Sequence, residues 1–337
     1  MARGPELFLV VGTGSVGRRH AKNLASLGAR VACFDPRADR LEQLRAELPA
    51  VAATYTSLAE ALGAATYAGA VIGSPPSVHV EQSAALLERR VPVLLEKPVS
   101  PDLASARRLE EAVERTGTPL LLGYTYRWWP PLIELRRRVL DGAVGAPRHA
   151  RIVMSAHLAD WHPWERYQDF FMASRELGGG ALLDESHFLD QMLWLFGMPE
   201  LIYGRAEHVS ELEITTDDNV DLVAVYPAGL RVNIHLDLFG RPHEKLVSIV
   251  GERGTLQCAF DPNVVRVASG AAGPWEETRF DCERNDMFLA VAREFVDVAR
   301  GAERPSCTIR DGVDVLRCVE AVRRSTDGMQ AVWLNDV

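Results

Sequence analysis

Five short apolar runs, each separated from the next by a stretch of helical periodicity, fill the first 124 residues, and this alternation limits the fold more than anything else in the chain. The runs are Leu7–Val11, Arg30–Phe34, Ala70–Gly73, Pro92–Leu95 and Pro119–Gly123. They are continuous rather than alternating in polarity, as strands buried on both faces must be. Between them, Val16–Leu27, Asp39–Leu48, Ser57–Leu62, Val78–Arg89 and Leu103–Arg115 carry helical spacing. A βαβα order predicts a doubly wound parallel sheet of the Rossmann kind, with helices on both faces.

Beyond Tyr124 the rhythm changes. A helix is expected over Pro131–Leu140, a strand over Arg148–His157, and an irregular aromatic stretch over Asp160–Ala173. After Gly178-Gly179-Gly180 a single helix is expected from Leu182 to Phe196, ended by Gly197 and Pro199. Val220–Tyr226, Leu230–Leu238 and Lys245–Val250 alternate in polarity between Pro/Gly turns and read as antiparallel strands; helices return at Met287–Arg300 and Gly312–Ser325. The 337 residues therefore divide into a dinucleotide-binding domain, 1–124, and a second α+β domain, 125–337, built on an open, mainly antiparallel sheet.

A net charge of −9 argues against nucleic acid or an anionic membrane surface as a partner. The five cysteines are far apart with no CxxC pair, which suits reduced thiols and offers no zinc spacing, so no metal is expected. No run reaches the roughly 20 apolar residues of a membrane span, and no leader pattern opens the chain, so a cytoplasmic protein is expected.

Gly12-Thr13-Gly14-Ser15-Val16-Gly17 lies between the first strand and the first helix, the context that gives a GxGxxG its meaning. The first glycine permits the turn, the second lets backbone approach a pyrophosphate, and the third lets helix and strand close. Helix N–H groups at Ser15, Val16 and Gly17 would face the phosphates. Asp35 ends the second strand, where a carboxylate accepts the adenosine ribose hydroxyls and repels a 2′-phosphate. NAD is expected as cofactor, with NADP not excluded, because Arg37 could pair with that phosphate or stack on adenine.

Glu96-Lys97-Pro98 follows the fourth apolar run, so Lys97 falls at the carboxyl end of a parallel strand, where such sheets bind ligands. An ammonium there can hydrogen-bond a substrate oxygen and stabilise its negative charge. The loop Ser74-Pro75, with His79 a turn later, would reach the nicotinamide end of the cofactor beside Glu96 and Lys97; His79 itself reads as a packing residue rather than a catalyst. Asp184, His187 and Asp190 recur at steps of three, one polar ridge on an otherwise apolar helix, and a histidine oriented by a carboxylate is suited to proton transfer.

The glycine motif running into Arg18-Arg19-His20, Pro75-Pro76 with His79, Glu96-Lys97-Pro98, the triple glycine with His187 and the late Gly251…Gly254-Thr255 turn together resemble the glucose–fructose oxidoreductase / inositol dehydrogenase (Gfo/Idh/MocA) family. The resemblance spans nearly the whole chain. It implies an enzyme that moves a hydride between a nicotinamide cofactor and a hydroxyl or keto carbon of a sugar, aminosugar, nucleotide-sugar or cyclitol. It also implies that Lys97 and His187 flank the substrate with an Asp as third partner. The family commonly places that Asp four residues before the His, where this chain has Leu183; Asp184 lies three before. Tyr126, Arg127, Trp161 and Trp164 are expected either to line the substrate side or to pack the domain junction. A homodimer or homotetramer formed through the second domain's sheet is implied as well. The competing readings are a reductase of a non-carbohydrate substrate and a non-catalytic NAD-sensing regulator.

Overall fold

The computed structural model describes residues 5–161, 166–270 and 273–337. The chain divides into two compact units, one formed by 1–125 with 284–313 and the other by 126–283 with 314–337.

The first unit opens with β1 (Leu7–Val11), α1 (Ser15–Ser26), β2 (Arg30–Phe34), α2 (Ala38–Glu47), β3 (Ala53–Tyr55) and α3 (Leu58–Ala64). It continues with β4 (Gly69–Ile72), α4 (His79–Leu87), β5 (Val93–Glu96), α5 (Leu103–Thr116) and β6 (Leu120–Gly123). The strands lie in the order β3-β2-β1-β4-β5-β6 and every pair is parallel. This is a Rossmann sheet, whose strand order reverses between β1 and β4 and leaves a crevice at their carboxyl ends. Phe8, Leu9, Val10, Val71, Leu94 and Leu95 are fully buried because helices cover both faces, which is why the runs read as continuous.

Two features of this unit were not expected. β3 is a sixth strand of three residues, Ala-Thr-Tyr, half-buried at the sheet edge and too short and mixed to stand out as an apolar run. The segment Arg284–Val313, placed by sequence with the second domain, clusters with the first unit. There Phe295 packs edge-on against Phe8, Asn285 and Asn23 exchange amide hydrogen bonds, and the Cys307 carbonyl accepts the Leu122 N–H. The last contact occupies a donor that the outermost strand, β6, would otherwise leave open.

The second unit contains α6 (Pro130–Leu140), β7 (Pro147–Ser155), α7 (Ala181–Asp184), α8 (His187–Phe196), β8 (Leu201–Glu207), β9 (Asn219–Val225) and β10 (Arg231–Asp237). Then come β11 (Glu244–Gly251), β12 (Gly254–Phe260), β13 (Asn263–Ser269) and β14 (Glu276–Arg279). Helix α9 (Arg284–Ala299) and the first residues of α10 (Ile309–Gly328) belong to the first unit; the rest of α10 and the short β15 (Val332–Trp333) belong to the second. The nine strands run β14-β13-β12-β11-β7-β10-β9-β8-β15, open at both ends. All pairs are antiparallel except β7 with β10. Val232, Ile234 and Leu236 are buried on one face of β10, as their alternation predicts. The expected helix Leu182–Phe196 is in fact two, α7 and α8, interrupted at Glu185 and Ser186. The ridge of Asp184, His187 and Asp190 therefore does not run along one helix face: Asp184 ends α7 and His187 begins α8.

Candidate active site

The loop between β1 and α1 has the stereochemistry that its glycines allow. Gly12 has φ +85, and a Cβ there would lie 2.8 Å from the backbone nitrogen of Ser74. A Cβ at Gly17 would overlap the carbonyl oxygen of Gly12. Gly14 differs: the nearest atom to its Cβ position is Arg40 Nη1 at 3.9 Å, so its outer side is open. Gly14 also precedes the twelve-residue α1, whose first turn holds no acidic residue and receives no side-chain cap. Ser15, Val16 and Gly17 thus present helix-terminal N–H groups beside a cradle that a side chain would fill, which fits a dinucleotide pyrophosphate.

Asp35 ends β2 as expected, but its carboxylate is only 2% exposed. Oδ2 accepts the Thr13 N–H (2.7 Å) and hydroxyl (3.0 Å), and Oδ1 accepts the Arg37 N–H (2.9 Å). The carboxylate pins the glycine loop to β2. Arg37 turns outward into a two-pronged pair with Asp39, at 3.1 and 2.5 Å.

At the ends of β4 and β5 the side chains brace one another. His79 is fully buried; its Nδ1 meets the Pro98 carbonyl and its Nε2 the Ser74 carbonyl, both at 2.8 Å. Burial lowers its pKa while the two carbonyls pull the other way. His79 is thus the brace between the Ser74-Pro75 loop and the residue that follows Lys97. Ser74 Oγ in turn bonds Gln82 at 2.5 Å. On the other side of Lys97, Glu96 Oε1 lies 2.6 Å from Nε2 of the fully buried His20 on α1. Gly123 makes room for that carboxylate, because a Cβ there would stand 3.1 Å from Glu96 Cδ. Lys97 itself is half-buried between two anchored neighbours.

In the second unit, the Tyr126 ring lies 4.7 Å from the His187 ring, tilted by 40°, and also touches Phe188 and Phe260. Lys245 Nζ donates to the Tyr126 hydroxyl at 3.1 Å. Arg127, expected at the substrate side or in junction packing, is 8% exposed and grips Asp190 (1% exposed) through Nε at 3.0 Å and Nη2 at 2.7 Å. This pair ties the segment carrying Tyr126 to the helix carrying His187. Asp184 is buried and Trp161 half-exposed. Trp164 lies outside the described residues. The triple glycine serves packing: Gly179 and Gly180 admit the Met172 carbonyl and Asp217, whose Oδ2 accepts the Leu182 N–H at 2.7 Å and caps α7. Burial raises the Asp217 pKa, against that hydrogen bond.

Sequence reasoning did not single out Arg40, Lys245 or the pairing of His20 with Glu96. His20 falls three residues after Gly17 on the inward face of α1, a spacing that could have marked it; Lys245 carries no such local signal.

The family profile described as the NAD-binding Rossmann fold of the oxidoreductase family matches residues 7–124, and that of the GFO/IDH/MocA C-terminal domain matches 132–257. A relative, inositol 2-dehydrogenase 4 of Saccharopolyspora erythraea, is 32% identical over 328 residues, covering 95% of this chain and 93% of that one. The chain belongs to the Gfo/Idh/MocA family of NAD-binding oxidoreductases. A myo-inositol dehydrogenase of Streptomyces leeuwenhoekii is 29% identical over 336 residues, covering 94% of this chain and 96% of the relative. In fold, this member of the family is similar to an oxidoreductase from Agrobacterium radiobacter solved with NAD+, L-tartaric acid and magnesium: TM-score 0.85, 18% identity, 98% and 99% of the two chains covered.

Proposed function

We propose that this family member interconverts a ring hydroxyl and its ketone on a cyclitol or sugar, with NAD as redox partner. The observation that carries the reading is Lys97, half-buried at the carboxyl end of β5 and held by anchors on both neighbours, Glu96 on His20 and Pro98 on His79. The kinship to inositol dehydrogenases along almost the whole chain supports the substrate class. NAD, when bound on the glycine loop, supplies the nicotinamide carbon that takes or returns a hydride. Lys97, as an ammonium, donates a hydrogen bond to the substrate oxygen and stabilises its charge. His187 accepts the hydroxyl proton; its Nδ1 is buried, so the accepting atom is Nε2. Tyr126 holds the imidazole plane, and Asp184 is the third polar group of the set.

The test follows NAD reduction by absorbance over a panel of inositols, aminosugars, free sugars and nucleotide sugars. Turnover of a polyhydroxylated ring is expected; turnover confined to non-carbohydrate carbonyls would refute the substrate class.

We further propose a cytoplasmic homodimer or homotetramer. Five scattered cysteines with no CxxC pair suit a reducing compartment. The outer face of the second unit's sheet exposes Tyr203 and Val250 among Arg151, Arg205, Asp221 and Glu244, a mixed surface that a second copy can complement. Among the described residues no helix is long and apolar enough to cross a membrane.

A further inference from the structure

We propose that Arg40 determines how the adenosine end of the cofactor site treats a 2′-phosphate, and that it makes NADP an accepted second cofactor. The inference rests on the dinucleotide site described above. An acidic residue at the end of β2 ordinarily rejects NADP because its charge faces the phosphate. Here Asp35 is withdrawn, and its oxygens already accept hydrogen bonds from Thr13 and from the Arg37 backbone. Arg40, one turn into α2, sets Nη1 3.9 Å from Asp35 Oδ2 and equally close to the open side of Gly14. Its side chain is 41% exposed, so the guanidinium has both freedom and donors to meet an incoming anion. Arg37, the other candidate, is already paired with Asp39. The field beside the ribose site is therefore that of Asp35 offset by Arg40.

The experiment titrates NADH and NADPH separately by nicotinamide fluorescence, against the wild-type chain, Arg40→Ala and Arg40→Lys. Wild-type protein should bind both, with NADPH weaker by no more than about tenfold. Arg40→Ala should weaken NADPH a further roughly tenfold, the scale of one lost charge-assisted contact, and NADH by less than about threefold. Arg40→Lys should fall between. Raising salt from about 0.05 to about 0.5 M should weaken NADPH more steeply in the wild type than in Arg40→Ala. Equal losses for both cofactors would place Arg40 on a group they share and overturn the proposal. So would no loss for either, or a wild-type chain that ignores NADPH. Wild-type protein that binds neither dinucleotide overturns the cofactor site along with it.

Discussion

Gly17 and Lys97 show two ways in which one residue controls this chain. A methyl at Gly17 has no room, because the Gly12 carbonyl oxygen occupies its place. Gly17→Ala should cost about 2 kcal/mol or more in urea unfolding and abolish NADH fluorescence enhancement, since helix and strand must part to admit it. An unchanged titration would mean that the loop relaxes without harm. The roles proposed for Lys97 and His187 rest on charge instead. Losing the Lys97 donor should lower kcat by roughly 10²–10³ with little change in cofactor affinity. His187→Asn should lower kcat by roughly 10²–10⁴ and erase the low-pH limb of the oxidation profile, because that limb reports protonation of the base. If the limb survives in His187→Asn, Lys97 is the base and the roles reverse. The glycines, Asp35, Lys97 and His187 are visible in the sequence because each stands in a local pattern. The pairings that brace the neighbouring positions are not: His20 lies 76 residues from Glu96, and Arg127 lies 63 from Asp190, so neither pairing leaves a local trace.

Among the elements, the strands of the first unit were legible and the polar helix of the second was not. Buried parallel strands announce themselves by continuous apolarity, except β3, which is too short. Steps of three among Asp184, His187 and Asp190 suggested one helix, but the capping of α7 by Asp217 and the break at Glu185–Ser186 are set by tertiary contacts. α8 is instead fixed by Arg127 and Asp190, an ion pair buried on both sides. Arg127→Ala should destabilise the protein by about 3–5 kcal/mol, leaving a buried carboxylate without its guanidinium, whereas Arg127→Met with Asp190→Leu should recover most of the loss. Chemical denaturation of the two variants decides the matter, and equal losses would contradict it. On the outer face of β9 and β10, His235 is held up to about 9 by Asp237 and then by Asp221. A histidine raised in the folded state gives stability that is complete below its ordinary value near 6.5 and is lost as pH climbs through about 9. The melting temperature should therefore fall between about pH 7 and 10, more gently in His235→Gln; identical slopes would show that the clamp contributes nothing.

At the scale of the molecule, the mixed face of the second unit's sheet predicts association. Light scattering at micromolar concentration should give a multiple of the 37.2 kDa chain mass, and a monomer mass would rule the association out. The first unit's continuation in 284–313 was illegible, because helical periodicity shows that a segment is a helix but not which sheet it covers. That continuation bears on how the protein is made. As the chain leaves the ribosome the strands of the dinucleotide fold emerge before their closing segment: the partner of Asn23 follows residue 125 by about 160 residues, and the carbonyl that meets Leu122 by about 180. At ordinary synthesis rates that interval is roughly ten to thirty seconds. During it the nascent sheet keeps β6 bare at its edge, and Phe8 lacks its aromatic neighbour. The unit that begins first closes only after most of the second has been made.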